Sequence, residues 1–245
     1  MRLSAIVATT AALLLSACGS SMSRGDMQNA ARVNTQLGIN YAQQGHFSVA
    51  LDKLERALDQ DDSLPETHAA IAYVYQNLGE SKKAERHFRE ALDLSPGDPA
   101  LKNNFGVFLC SVGRYEEAEL LLLAAAKDPT YPTPEAAWTN AGTCIKAHNL
   151  DKAEIYLREA LKIAPQYREA LAQMASISFR KTDYLRARAF LQRYDLQSNA
   201  TAELLFIAAR TERELGDLET ARRYERRLKS EFPESVEAAS FEVSP

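Results

Sequence analysis

Residues 65–98 read PETHAAIAYVYQNLGESKKAERHFREALDLSPGD. The stretch divides at Gly79 into two amphipathic halves. The first carries a bulky Ile71, a small Ala72 and an aromatic Tyr75; the second carries a small Ala84, an aromatic Phe88 and a small Ala91; Pro96 closes the stretch. Apolar positions three and four apart mark helices. Gly between them suits a helix C-terminus that needs positive φ, and Pro after them cannot continue a helix. Two helices joined by a tight turn are therefore predicted, with small side chains where the helices must approach closely.

The same alanine recurs outward in both directions. Ala50, Ala84, Ala118, Ala153, Ala187 and Ala221 are spaced by 34, 34, 35, 34 and 34 residues. A period of this length resembles the tetratricopeptide repeat. The resemblance implies an all-α, right-handed solenoid of six helix-turn-helix units, read at 31–64, 65–98, 99–132, 134–167, 168–201 and 202–235. No unit of this kind buries its own apolar face, so neighbours stack into one continuous core. Composition agrees: 39 Ala against 10 Gly and 9 Pro favours helix over a turn-rich β fold. A formal net charge of −4 argues against nucleic acid, whose phosphates call for a basic surface.

Several departures from the pattern matter. In the fourth unit Trp138 and Gly142 fit the first helix, but Ala153 arrives one residue early and leaves the register open by one. Three prolines in 128–134 predict a stiff, lengthened junction before that unit. In the last unit Glu212 and Glu225 replace apolar residues, as suits a terminal repeat with a polar outer face. Residues 236–245 read as a frayed tail.

The chain begins MRLSAIVATTAALLLSAC. Arg2, an apolar run too short to span a bilayer and small residues before Cys18 fit a cleaved export signal. Leu15-Ser16-Ala17-Cys18 resembles the bacterial lipobox, which implies removal of 1–17 and acyl chains, palmitate included, on Cys18. No other cofactor is expected. Gly19 and Ser20, in place of an Asp after the Cys, imply by the same resemblance an outer-membrane address. Polar residues 18–30 read as a flexible tether.

Two cysteines then remain, Cys110 and Cys144, near the ends of first helices in adjacent units. In an oxidising compartment neighbouring thiols pair, so a Cys110–Cys144 disulfide is predicted; the other reading is two free cysteines packed as small apolar residues. His46, His68, His87 and His148 are scattered without metal-ligand spacing, and no nucleophile or phosphate-loop motif occurs. Mixed charges around Glu85, such as Lys82, Arg86, Arg89 and Glu90, read as a solvated helix face. Neither catalysis nor a small-molecule substrate is expected.

In the tetratricopeptide family, recurrent first-helix positions line a concave groove. Carried onto this chain they are Thr35, Ile39, Ala42 and Gln43, then Ala69, Tyr73, Gln76 and Asn77, then Asn103, Val107, Cys110 and Ser111. Beyond them come Ala172, Ser176 and Phe179, and Phe206, Arg210 and Arg213. Apolar and amide groups along the first units suit a peptide. Ile39, Tyr73 and Val107 have a second reading as contacts between neighbouring repeats. Segments 103–119 (NNFGVFLCSVGRYEEAE) and 138–154 (WTNAGTCIKAHNLDKAE), with the lipobox and the six repeats, resemble the type IV pilus biogenesis/stability lipoproteins, the pilotins of the pilus secretin. That resemblance implies a lipid-anchored outer-membrane protein that binds the secretin subunit and promotes its localisation and multimerisation. The alternatives are a repeat lipoprotein serving another envelope machine, such as outer-membrane protein assembly, or an activator of a cell-wall enzyme.

Overall fold

The computed structural model describes residues 23–241, and among these it contains thirteen α-helices and no strand. Twelve helices pair in sequence: α1 (Arg24–Gln43) with α2 (Phe47–Gln60), α3 (Pro65–Asn77) with α4 (Ser81–Leu94), and α5 (Pro99–Ser111) with α6 (Tyr115–Ala126). The second half repeats the arrangement: α7 (Pro134–Ile145) with α8 (Leu150–Ile163), α9 (Arg168–Arg180) with α10 (Tyr184–Tyr194), and α11 (Ala202–Glu214) with α12 (Leu218–Glu231). Each pair packs on the next, so the fold is all-α, a linear stack of helical hairpins. Pro65, Pro99 and Pro134 each open a first helix, where the missing N–H costs nothing.

Within a unit the two helices are close enough to exclude a side chain. A Cβ placed on Gly38, Gly106 or Gly142 would lie 2.5, 2.7 or 2.8 Å from Cγ of Leu54, Leu122 or Leu157 respectively. The turn that follows normally ends in a positive-φ glycine, as at Gly79 (φ +76°). The fourth unit instead turns without one. Ile145 O accepts from both His148 N and Asn149 N, and Asn149 caps α8 by accepting from Lys152 N. The register left open by the sequence is resolved: α7 ends two residues sooner after Gly142 than α1 or α5 does after its own glycine, and a four-residue turn, 146–149, replaces the usual three, so the segment is one residue shorter overall. In the fifth unit Thr182 takes the left-handed position at φ 59°.

The core runs through the stack. Phe88, Phe105 and Phe108 stack on one another across units two and three, and Leu157, Leu171, Met174 and Ile177 continue it without solvent exposure. The proline-rich junction is stiffened by Asp128, which accepts from Thr130 N and Oγ1, and by Tyr131 packed on Ala125, Ala126 and Ala137.

Three readings of the sequence are corrected. Residues 24–30, placed in a tether, belong to α1, which Ser23 and Asp26 start with a reciprocal capping box. Residues 236–240, placed in a frayed tail, form a thirteenth helix, α13 (Val236–Ser240); Ala238 is buried against Leu205 and Leu228, and Phe241 packs on Phe206. Glu212 does not belong to a polar outer face. It is buried and ion-paired with Arg188 of the preceding unit.

Candidate functional site

First helices α1, α3 and α5 line one side of the stack and enclose a groove of about 860 Å³. Its apolar wall combines Ile39, Ala42, Ala69, Ala70, Tyr73, Leu101 and Val107; Gln43, Gln76 and Asn104 supply amides. Tyr73 is 45% and Val107 37% exposed, so their side chains remain open to solvent although they stand beside neighbouring repeats.

Seven of the groove residues named from the sequence meet here: Ile39, Ala42, Gln43, Ala69, Tyr73, Gln76 and Val107. Four do not. Thr35 is buried, its hydroxyl bonded to Ala31 O and at 2.7 Å to Thr67 Oγ1. Asn103 is buried and accepts from Asn140 Nδ2 at 2.9 Å. Asn77 donates to Tyr73 O, and Ser111 donates to Phe108 O; neither lines the groove. Thr35 and Asn103 join consecutive first helices instead of facing a ligand. The sequence reading missed Pro65, Glu66, Asp98, Ala100, Leu101 and Asn104. All but Asn104, in the second turn of α5, come from the loops and first turns of the next units. The prolines that open α3 and α5 were the available signal for them.

Several of the corresponding positions of the later units are engaged by other side chains of the protein. Ser176 is buried within reach of Lys146 and Glu203, and Phe179 packs on Tyr184. Phe206 is covered by Phe241, Arg213 is paired with Glu225, and Arg210 is half-buried with no acceptor for Nε among the described residues. Ala172 borders a small separate hollow. The wide apolar groove belongs to the first three units.

Cys110 and Cys144 form a disulfide, with Cα atoms 5.7 Å apart, that links α5 to α7. Cys18 lies outside the described residues. Histidines far apart in sequence come together: His68 Nδ1 stands 3.2 Å from His87 Nδ1, and His68 Nε2 lies 3.1 Å from Asp62 O. Donation from Nε2 to that carbonyl leaves His68 Nδ1 as acceptor, so His87 Nδ1 donates to it. Burial, then His68 and Arg86, push the His87 pKa down to about 4. No three His, Cys, Asp or Glu side chains among the described residues converge on a metal position.

Residues 65–98 and 141–167 each match the tetratricopeptide-repeat family. Over 209 residues the chain is 30% identical to the type IV pilus assembly protein PilF of Pseudomonas aeruginosa, covering 85% of this chain and 83% of that one. The chain belongs to the PilF family. A solved structure of Pseudomonas aeruginosa PilF superposes with a TM-score of 0.80 at 29% identity, covering 88% of this chain and 98% of that one. PilW, described as a widely conserved type IV pilus biogenesis factor, gives 0.79 at 30% identity, covering 87% and 98%. An uncharacterised Haemophilus influenzae protein is 32% identical over 151 residues, or 61% of this chain and 83% of its own. The pilus-family fold therefore extends over nearly the whole chain, groove included.

Proposed function

We propose that this PilF-family chain is an outer-membrane lipoprotein pilotin: it binds the type IV pilus secretin subunit and promotes its outer-membrane localisation and multimerisation, and so pilus assembly and twitching motility. The observation that carries the reading is the open apolar groove of the first three units, set against later units where Ser176 and Phe206 at equivalent positions are engaged from within. A groove of this kind grips an extended peptide by burying apolar side chains while its amides satisfy the peptide backbone. Acyl chains on Cys18 supply the address, since two or more chains anchor stably where one does not.

The test compares secretin oligomers and their membrane fraction in three strains: wild type, Cys18→Ser and Tyr73→Ser/Val107→Ser. The reading expects Cys18→Ser to misplace or lose the oligomers. The groove variant should lose them while the lipoprotein itself stays at the outer membrane. Normal oligomers in both strains would sink the proposal. General outer-membrane defects with intact secretin would point to another envelope machine, and a lowered cell-wall enzyme activity to an activator.

A further inference from the structure

The groove is not electrically neutral. Of the residues lining it, Glu66 and Asp98 alone are charged, and both are acidic. Glu66 stands in the first turn of α3 and Asp98 at the N-cap of α5, where a helix N-terminus favours an anion. One oxygen of Asp98 accepts from Ala100 N at 2.7 Å and Leu101 N at 3.3 Å; its other oxygen has no protein donor among the described residues. Neither carboxylate has a Lys or Arg within ion-pair distance among the described residues. The equivalent side of the later units carries cations: Lys146 and Arg180 are neighbours there, with Glu203 close to Lys146.

We infer that the groove takes a basic-apolar peptide, an extended segment of a partner protein with a Lys or Arg placed beside apolar side chains. The apolar side chains lie against Ile39, Tyr73 and Val107, and the cation reaches Glu66 and Asp98. An acidic segment is disfavoured twice over. It meets uncompensated carboxylates in the groove, and the cations that would welcome it are in units where several inner positions are already engaged. Like-charge placement is an effective way to exclude wrong partners. This inference rests on the groove being the docking site, as proposed above.

The test uses a phage-displayed library of random twelve-residue peptides selected on the purified full-length chain in mild detergent. Affinities of the selected peptides are then read by fluorescence anisotropy. Glu66→Gln/Asp98→Asn removes both charges, and the side-chain amide oxygen it leaves at the start of α5 still caps that helix. Tyr73→Ser/Val107→Ser removes the apolar wall at two exposed positions, and circular dichroism checks that both variants are folded. The inference expects Lys or Arg to be enriched beside apolar residues. It also expects the selected peptides to bind the charge-neutralised variant about three- to tenfold more weakly and to lose that difference at high salt. Peptides without basic enrichment that still depend on Tyr73 and Val107 would overturn the charge preference and leave the groove standing. Peptides indifferent to the Tyr73/Val107 variant, or a library that yields no binder, would overturn the groove itself.

Discussion

Single residues carry much of the packing. At Gly106 a methyl group would overlap the side chain of Leu122, and Ala118 O lies 3.2 Å away on the backbone behind it. Gly106→Ala is expected to cost roughly 1–3 kcal/mol, read as a lowered denaturation midpoint, because two helices would have to separate. Thr182 shows the reverse situation. A β-branched residue at φ 59° is strained, and its four glycine counterparts, Gly45, Gly79, Gly113 and Gly216, are not. Thr182→Gly should therefore stabilise the chain by about 1 kcal/mol, despite the entropy glycine adds to the unfolded state.

The half-buried histidine pair belongs to the same scale. Because the folded state holds His87 near pKa 4 against an ordinary value of 6.5, the unfolded chain binds the proton more readily. Stability from this residue is fully present above about pH 6.5 and is lost as pH falls toward 4. Discounted for partial solvent exposure, the loss is on the order of 1–2 kcal/mol. His87→Gln should flatten the melting temperature across that window; an unchanged slope would contradict the assignment. No local motif announced this pair. The two side chains are nineteen positions apart and meet only because α3 and α4 fold back on each other.

Between elements, a charge pattern follows the repeat. The residue after four of the six key alanines pairs with the next unit: Glu85 with Arg114, Glu119 with Lys152, Glu154 with Lys181 and Arg186, and then Arg188 with Glu212. Read along the sequence alone, Glu85 belonged to a solvated helix face. Its i,i+4 partner Arg89 is indeed present, but Arg114 was invisible to a single-helix reading. Hydrogen bonds from Arg89 and Arg114 hold the Glu85 carboxyl below its usual range. For Glu119 and Glu154, burial acts to raise it, and their lysine, arginine and tyrosine donors outweigh that effect. These pairs therefore contribute above the ordinary glutamate value and fade as pH falls through their depressed ones.

The sign reverses at the last junction, where the cation precedes the anion. Arg188→Glu would face buried Glu212 and should cost about 2–3 kcal/mol, and adding Glu212→Arg should recover much of it in a double-mutant cycle. Full additivity of the two changes would show that the pair is uncoupled. The helix pairs themselves were legible in the alanine period, whereas α13 was not, since five residues are too few to show a period. The groove was legible in part. Thr35 and Asn103 occupy ligand-facing positions by spacing, but each finds a polar neighbour one unit away, and only the folded stack reveals that.

Across the whole molecule, the disulfide ties units three and four just where the connecting segment is richest in proline. Closing a loop of this length contributes on the order of 3 kcal/mol by restricting the unfolded chain. Cys144→Ala should lower the unfolding midpoint accordingly and leave helicity near wild type. If the midpoint does not move, the bridge is not contributing to stability.

The short helix at the C-terminal end has a wider consequence. Stacked hairpins grow by leaning a bare face on the next, and a molecule with two bare ends invites head-to-tail chains that never close. Here α13 and Phe241 occupy the trailing face of the sixth unit. A second copy stacking on that face would first have to displace them, which works against threading into fibres.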